Sequence, residues 1–289
     1  MAKKKKASRK PRNISKPKID KGKKEDPSLH VYGKNEDILC LTNSRGYATP
    51  DNRSIEEIRV DASDGFVPLW GPDVILRWRF NEFSMRHIPN PERKKNEIRT
   101  LVGEALQLWG DAVPVTFREA SGFDAWDFEF KLESADDCTP PPNRSCVLAR
   151  AFFPNAGQND LALYPILFNR THGDQVLTMA HELGHVFGLR HFFAAWREAW
   201  APSLPFGIES PFSIMNYGAQ SRMTDADRSD LKLLYSRVWS GLLPSINGTP
   251  VVQFRPYHEF RTQAFATAGS QRAFDPGIAA SQCPCCWRK

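Results

Sequence analysis

A chain of 289 residues, 41% hydrophobic and 25% charged, has ordinary globular composition and enough apolar material for one large core or two small ones. No apolar run is long enough to span a bilayer, which excludes a membrane-spanning helix as the organising element. The net charge of +6 is unevenly placed: residues 1–24 hold twelve Lys or Arg against the single acid Asp20, a net +11, so the remainder carries −5.

The basic start, MAKKKKASRKPR, has no apolar segment after its positive residues and is not a recognisable secretory signal. Three readings of it stand: a solvated, disordered tail, a nuclear address or nucleic-acid contact, or a misassigned chain start. Lacking any other basic feature, the chain is not expected to bind nucleic acid. Residues 1–29 are expected to form this basic disordered tail, and residues 30–70, with turn formers at Asn43, Gly46, Pro50, Asp51 and Gly65, an irregular lead-in or pro-segment.

Regular structure is expected from Val74. In VILRWRF, Leu76, Trp78 and Phe80 alternate with Arg77 and Arg79, the period of a strand. From Asn96 the period changes: Ile98, Leu101, Val102, Ala105, Leu106 and Trp109 share one helical face, and Gly110 ends the run. Two short strands follow, Val113–Glu119 and Trp126–Leu132. VLARAFF and LALYPILF, joined by PNAGQND, read as an antiparallel pair. Asp174–Phe187 is a second helix, broken at Gly188. A third runs from Thr224, its N-cap, to Tyr235. Beyond Pro244 the chain reads as irregular. The order implies an α+β domain over residues 71–243, a twisted mixed sheet with two long helices and a further C-terminal helix, followed by an irregular extension over 244–289.

The cysteines and glycosylation sequons point in different directions. Cys138 and Cys146 flank TPPPNRS and can close a small disulfide. Cys283, Cys285 and Cys286 form a CxCC cluster without the second pair that a structural zinc site needs. Five Asn-x-Ser/Thr sequons, at Asn13, Asn52, Asn143, Asn169 and Asn247, require a secretory route for use, for which no signal is visible. The compartment is left open between extracellular and intracellular or nuclear.

Residues 178–192, TMAHELGHVFGLRHF, carry the chemistry. They contain HExxHxxGxxH, and with only seven histidines in the chain a chance match is on the order of one in 10^5. On a helix, His181 and His185 lie one turn apart on one face and aim two imidazoles at one point. Catalytic zinc takes three protein ligands and keeps one position open. The third ligand has to come from chain that turns back, and Gly188 supplies the turn because glycine tolerates positive φ. His191 then completes the set. Glu182 faces the open position, where it can take a proton from the attacking water.

These residues resemble the metzincin clan of metallopeptidases. SIMNYG, Ser213 to Gly218, resembles the clan's methionine turn beneath the zinc, with Met215 as its methionine. LQLWGDAVPVTFREA, LARAFFPNAGQNDLALYP and MTDADRSDLKLLY resemble the helix-to-strand passage, the strands above the active site and the closing helix of matrixins. The resemblance covers roughly Val74–Tyr235. It implies an endopeptidase acting on protein or peptide substrates, with a zinc cofactor. Leu148, Ala149, Arg150 and Ala151 would form the strand that pairs with substrate, and residues 213–219 the wall of the pocket beyond the cut. It leaves room for structural calcium, for which no clear motif stands in the sequence. Three features depart from matrixins: Phe192 follows the third histidine, the stretch from His191 to Met215 is longer, and Tyr217 is placed as in astacins and serralysins, where it can reach the zinc and the oxyanion. No matrixin cysteine-switch motif is present, Cys40 being the only cysteine upstream. The alternative is a zinc-containing binding protein without catalysis, which a substituted Glu182 would mark; Glu182 is intact.

Overall fold

The computed structural model describes residues 37–39, 58–62, 65–138, 145–191, 203–206, 212–216 and 221–260. The basic tail, Cys40, Phe192, Tyr217 and the CxCC cluster lie outside the described residues.

The centre is a five-stranded sheet. Its strands are β4 (Ile75–Phe80), β5 (Thr116–Glu119), β6 (Phe128–Leu132), β8 (Ala149–Arg150) and β9 (Asn159–Leu163), in the order β5-β4-β6-β9-β8. All neighbours are parallel except the edge strand β8, which runs antiparallel to β9. The strand period is visible in the burial: Leu76, Trp78 and Phe80 are buried, with Trp78 edge-to-face against both Phe80 and Phe130, while Arg79 on the other face pairs with Glu129. One face of the sheet is therefore core and the other is held by ion pairs.

Helices α2 (Pro91–Trp109) and α3 (His172–Val186) pack on each other within the single large core. A short α1 (Glu82–Met85) precedes them, and α4 (Asp225–Trp239) closes the domain. Thr224 caps α4 as expected, with the side chains of Thr224 and Asp227 bonding each other's backbone N–H. The disulfide Cys138–Cys146 is formed and pins β7 (Ser145–Val147) just before the edge strand.

The structure corrects the sequence reading in four places. Helix α2 starts at Pro91, five residues before the apolar period begins: proline fits the first helical position, and the polar first turn is held by Lys95 bridging Glu82 and Glu92. β5 begins only at Thr116, because the chain first makes a 3-10 turn at Gly110–Ala112 and Pro114 has no N–H to donate. The apolar run LALYPILF leaves the sheet after Leu163 and ends in a 3-10 turn, Pro165–Asn169.

The fourth correction concerns the flanks, both expected to be irregular. Upstream lie β1 (Asp37–Leu39), β2 (Ile58–Asp61) and β3 (Val67–Trp70). β1 runs parallel to β7, and β2 is the middle strand between β10 (Leu189–Arg190) and β11 (Ser203–Phe206). Downstream, β12 (Ser245–Ile246) and β13 (Thr249–Phe254) form a hairpin whose second strand runs parallel to β3. Its loop is Asn247–Gly248, both at positive φ (50° and 83°), the dipeptide that suits a two-residue hairpin turn.

Candidate metal centre

Helix α3 begins at Thr171, whose hydroxyl caps the Asp174 N–H, and is buried almost all round from Gln175 to Val186. It has no solvent stripe, so the side chains of its second half meet in a dry interior. The helix stops at Gly188, at φ 88°, where a Cβ would stand 2.9 Å from Pro68 O and from a Leu69 methyl. Only glycine fits both the backbone angle and the approach of β3. The turn returns the chain as β10 and delivers His191.

His181, His185 and His191 meet there, all three fully or almost fully buried. Their Nε2 atoms form a triangle with every edge at 3.2 Å. A tetrahedral ion with metal–nitrogen bonds of about 2.0–2.1 Å needs nitrogen ligands about 3.3–3.4 Å apart, so the spacing fits zinc. The backbone fixes the ring orientations. His181 Nδ1 is 2.7 Å from Ile214 O, and His185 Nδ1 is 2.7 Å from Leu189 O. A carbonyl only accepts, so each Nδ1 carries the proton and each Nε2 turns a lone pair to the shared point. Burial, and after it the neighbouring His191 and His181, holds the His185 imidazole well below its usual value. That ring is neutral at neutral pH, the form that binds metal. Lone pairs aimed at one another repel unless a cation lies between them. Glu182 is buried on the same helix, adjacent in sequence to His181.

The floor under these ligands is the turn Ser213–Asn216. Met215 is wholly buried, and its thioether lies where a Cβ on Gly184 would be, one residue before His185. The Trp109 ring of α2 lies against the same point of Gly184, and its Nε1 donates to Ala180 O at 2.9 Å. The turn is held by Asp227, which the sequence reading missed as a site residue. Its carboxylate accepts from the Ser213 hydroxyl, from Ile214 N at 3.2 Å, and from the Thr224 N–H and hydroxyl. The helix-capping residue thus also anchors the residue whose carbonyl orients His181. The signal for it, T-x-x-D at residues 224–227, is in the sequence, but it announces only the cap.

Tyr235 does the same for the other end of α3. Its hydroxyl donates to Phe187 O at 2.9 Å and accepts from Trp70 N at 3.3 Å, and burial pushes the phenol well above its usual value. Trp70 Nε1 donates to Val186 O at 2.7 Å. The last carbonyls of the ligand-bearing helix are therefore satisfied by side chains from β3 and α4.

Residues 77–195 match the matrixin family model of metallopeptidases. The chain carries a matrixin-like catalytic domain of the metzincin clan. Stromelysin-3 of Mus musculus is 29% identical over 168 residues, 56% of this chain and 32% of the relative. Stromelysin-3 of Xenopus laevis is 26% identical over 235 residues, 76% of this chain and 45% of the relative. Matrix metalloproteinase-17 of Homo sapiens is 33% identical over 130 residues, 42% and 21%. The chain thus spans less than half the length of these curated relatives. The family is one of zinc metalloendopeptidases, and the three histidines of the HExxHxxGxxH motif, which lie within the matched residues, are the three that the fold brings together.

The strand expected to bind substrate maps to the edge of the sheet. Leu148 and Ala149 are buried, Ala151 nearly so, and Arg150 is half-buried, its guanidinium 3.5 Å from Asp160. Phe153, just beyond, meets the His185 ring edge-on at 5.7 Å, which sets the end of this segment against the histidine cluster. No helix among the described residues is long and apolar enough to cross a membrane.

Proposed function

We propose that this chain is a zinc-dependent endopeptidase, with residues 71–243 as its catalytic unit. The observation that carries the reading is the triangle of Nε2 atoms, two of them left with a free lone pair because a backbone carbonyl accepts the Nδ1–H on the far side of the ring. His181, His185 and His191 hold the metal. When bound, zinc lowers the pKa of water to roughly 7 and polarises the scissile carbonyl. Glu182 takes the proton of the attacking water onto its carboxylate and passes it to the leaving amine. Met215 forms the floor under the ligands, and Ile214 and Leu189 hold two of the rings through their carbonyls. Residues 148–151 bind an extended peptide by strand addition at the sheet edge, which favours main-chain recognition over a particular sequence. Tyr217 donates a hydrogen bond to the oxyanion as the carbonyl becomes tetrahedral.

The experiment is Glu182→Ala, assayed on a peptide library with cleavage sites mapped by mass spectrometry. The variant keeps its zinc and its melting temperature and loses turnover by about 10²-fold or more, the usual scale for a general base. Near-parental turnover would remove Glu182 from the mechanism. The same library separates the roles of Tyr217: Tyr217→Phe lowers kcat by about 10²-fold if the hydroxyl meets the oxyanion, whereas a raised KM at constant kcat makes the ring a pocket wall.

A further inference from the structure

The hairpin β12–β13 follows the helix that closes the matrixin-like domain, beyond the residues that match the family. It is nevertheless joined to the domain at three levels. First, Val251–Phe254 pair in register with Val67–Trp70, and the ladder continues where Gly71 N–H donates to Phe254 O at 2.9 Å. Phe254 also stacks on Phe66 at 5.7 Å. Second, Arg255 reaches Pro72 O at 2.7 Å and pairs with Glu259. Third, the helical turn at 257–260 sets His258 against Asp127, with both side chains almost fully buried. Asp127 Oδ1 accepts from the His258 N–H at 2.7 Å, and Oδ2 accepts from His258 Nδ1 at 2.9 Å.

Asp127 is itself fixed in the central sheet. Its Oδ2 accepts from Arg77 N, its N–H donates to Arg77 O, and its carbonyl accepts from Asn159 N. The end of the hairpin is thus tied to three strands of the sheet at once, β4, β6 and β9. A buried carboxylate is costly unless its hydrogen bonds are made, so the pair is a specific latch rather than a loose surface contact.

The strand that the hairpin covers is β3, all four residues of which are buried. β3 is also what Gly188 packs against, and it supplies Trp70 to Val186 O and to the Tyr235 hydroxyl. A strand in that position determines where the turn Gly188–His191 stands, and with it the third ligand and the Leu189 carbonyl that orients His185. We infer that the hairpin at residues 245–260, latched by His258 on Asp127, positions the third histidine of the metal centre by clamping β3 against the Gly188 turn. His258 is a positioning residue in this account. The inference rests on the zinc reading above, but its mechanical half, the clamping of the turn, does not require the metal.

The test uses the full chain and two readouts. One is the rate of zinc transfer to a chromogenic chelator. The other is hydrogen exchange of the backbone spanning 186–191 in metal-free protein. Direct hydrogen-bond partners of zinc ligands alter metal affinity by about 10–100-fold, and the latch acts further out, so about fivefold is expected in each readout. His258→Ala releases zinc about fivefold faster and exchanges the 186–191 amides about fivefold faster. His258→Asn, whose side-chain amide can replace Nδ1–H towards Asp127, restores both to within about twofold. Arg255→Ala, which loosens the same hairpin without entering the latch, shifts both in the same direction. Phe80→Leu, which trims the Trp78–Phe80–Phe130 cluster, lowers the melting temperature and leaves both readouts at the parental value. Parental exchange at 186–191 in His258→Ala overturns the proposal, as does equal loosening in Phe80→Leu. A parent that takes up no zinc contradicts the metal centre, and the exchange readout still decides the clamp.

Discussion

Helices α3 and α4 are each fifteen residues long and lie in the same core, yet they are built on opposite plans. From Gln175 to Val186, α3 buries all but one of its residues, polar and apolar alike. α4 buries one stripe, Asp227, Leu231, Leu234, Tyr235 and Val238, and gives Asp225, Lys232 and Leu233 to solvent. The first arrangement makes a dry place for three imidazoles. It leaves the helix unable to orient them alone, since its own backbone groups are spent on helical hydrogen bonds. The second supplies what is missing. Asp227 at the start of α4 holds the turn whose Ile214 carbonyl orients His181, and Tyr235, two turns on, holds the Phe187 carbonyl before the turn to His191. α3 supplies two of the three clustered imidazoles and the buried Glu182, and α4 supplies the side chains that hold the carbonyls around them.

The contrast predicts graded effects. The largest belongs to Asp227→Ala, which strands the Ser213 hydroxyl, Ile214 N–H and Thr224 N–H in the interior. A loss of about 3 kcal/mol or more in denaturant unfolding is expected, with weakened zinc retention. A loss under about 1 kcal/mol would mean that the turn stands without its carboxylate. Gly184→Ala comes next. The added methyl meets the Met215 thioether and the Trp109 ring, and about 1–3 kcal/mol should be lost. Met215→Ala in the same chain should return part of that loss, and its failure to do so would place the clash elsewhere. Tyr235→Phe keeps the ring and removes the hydroxyl that serves Phe187 O and Trp70 N, for about 1–2 kcal/mol. An unchanged unfolding midpoint would deny α4 its second support. At the small end, Leu233→Ser on the exposed side of α4 should stay within about 0.5 kcal/mol. A larger effect there would mean that this face is covered in solution and that α4 is not half-solvated.

What the sequence made legible follows the same division. The three ligands, the break at Gly188 and the cap at Thr224 could be read because each depends on spacing along one helix or on one residue's backbone preference. Asp227 and Tyr235 could not be read as site residues, since their partners are backbone carbonyls and amides far along the chain, which leave no mark in residue type. The strands of the flanks were missed for a different reason. β2, Ile58–Asp61, does alternate apolar and charged residues, but over only four residues the signal is too short to stand out, and β3 is buried in every residue, so period-2 patterning is absent there. The hairpin carried a readable signal, Asn247–Gly248 between two short runs, but Pro244 and Pro250 beside it suggested irregular chain. Pro250 is accommodated in β13 because the ladder to β3 begins only at Val251.

On this reading three imidazoles, two of them oriented by the carbonyls of Ile214 and Leu189, form one zinc site. Elemental analysis of the purified chain at neutral pH, without chelator, tests it most directly when the parent is measured beside His191→Ala. The account predicts one zinc per parent chain and well below one in the variant after the same dialysis. A parent free of stoichiometric zinc, or a variant that retains it as the parent does, would contradict it.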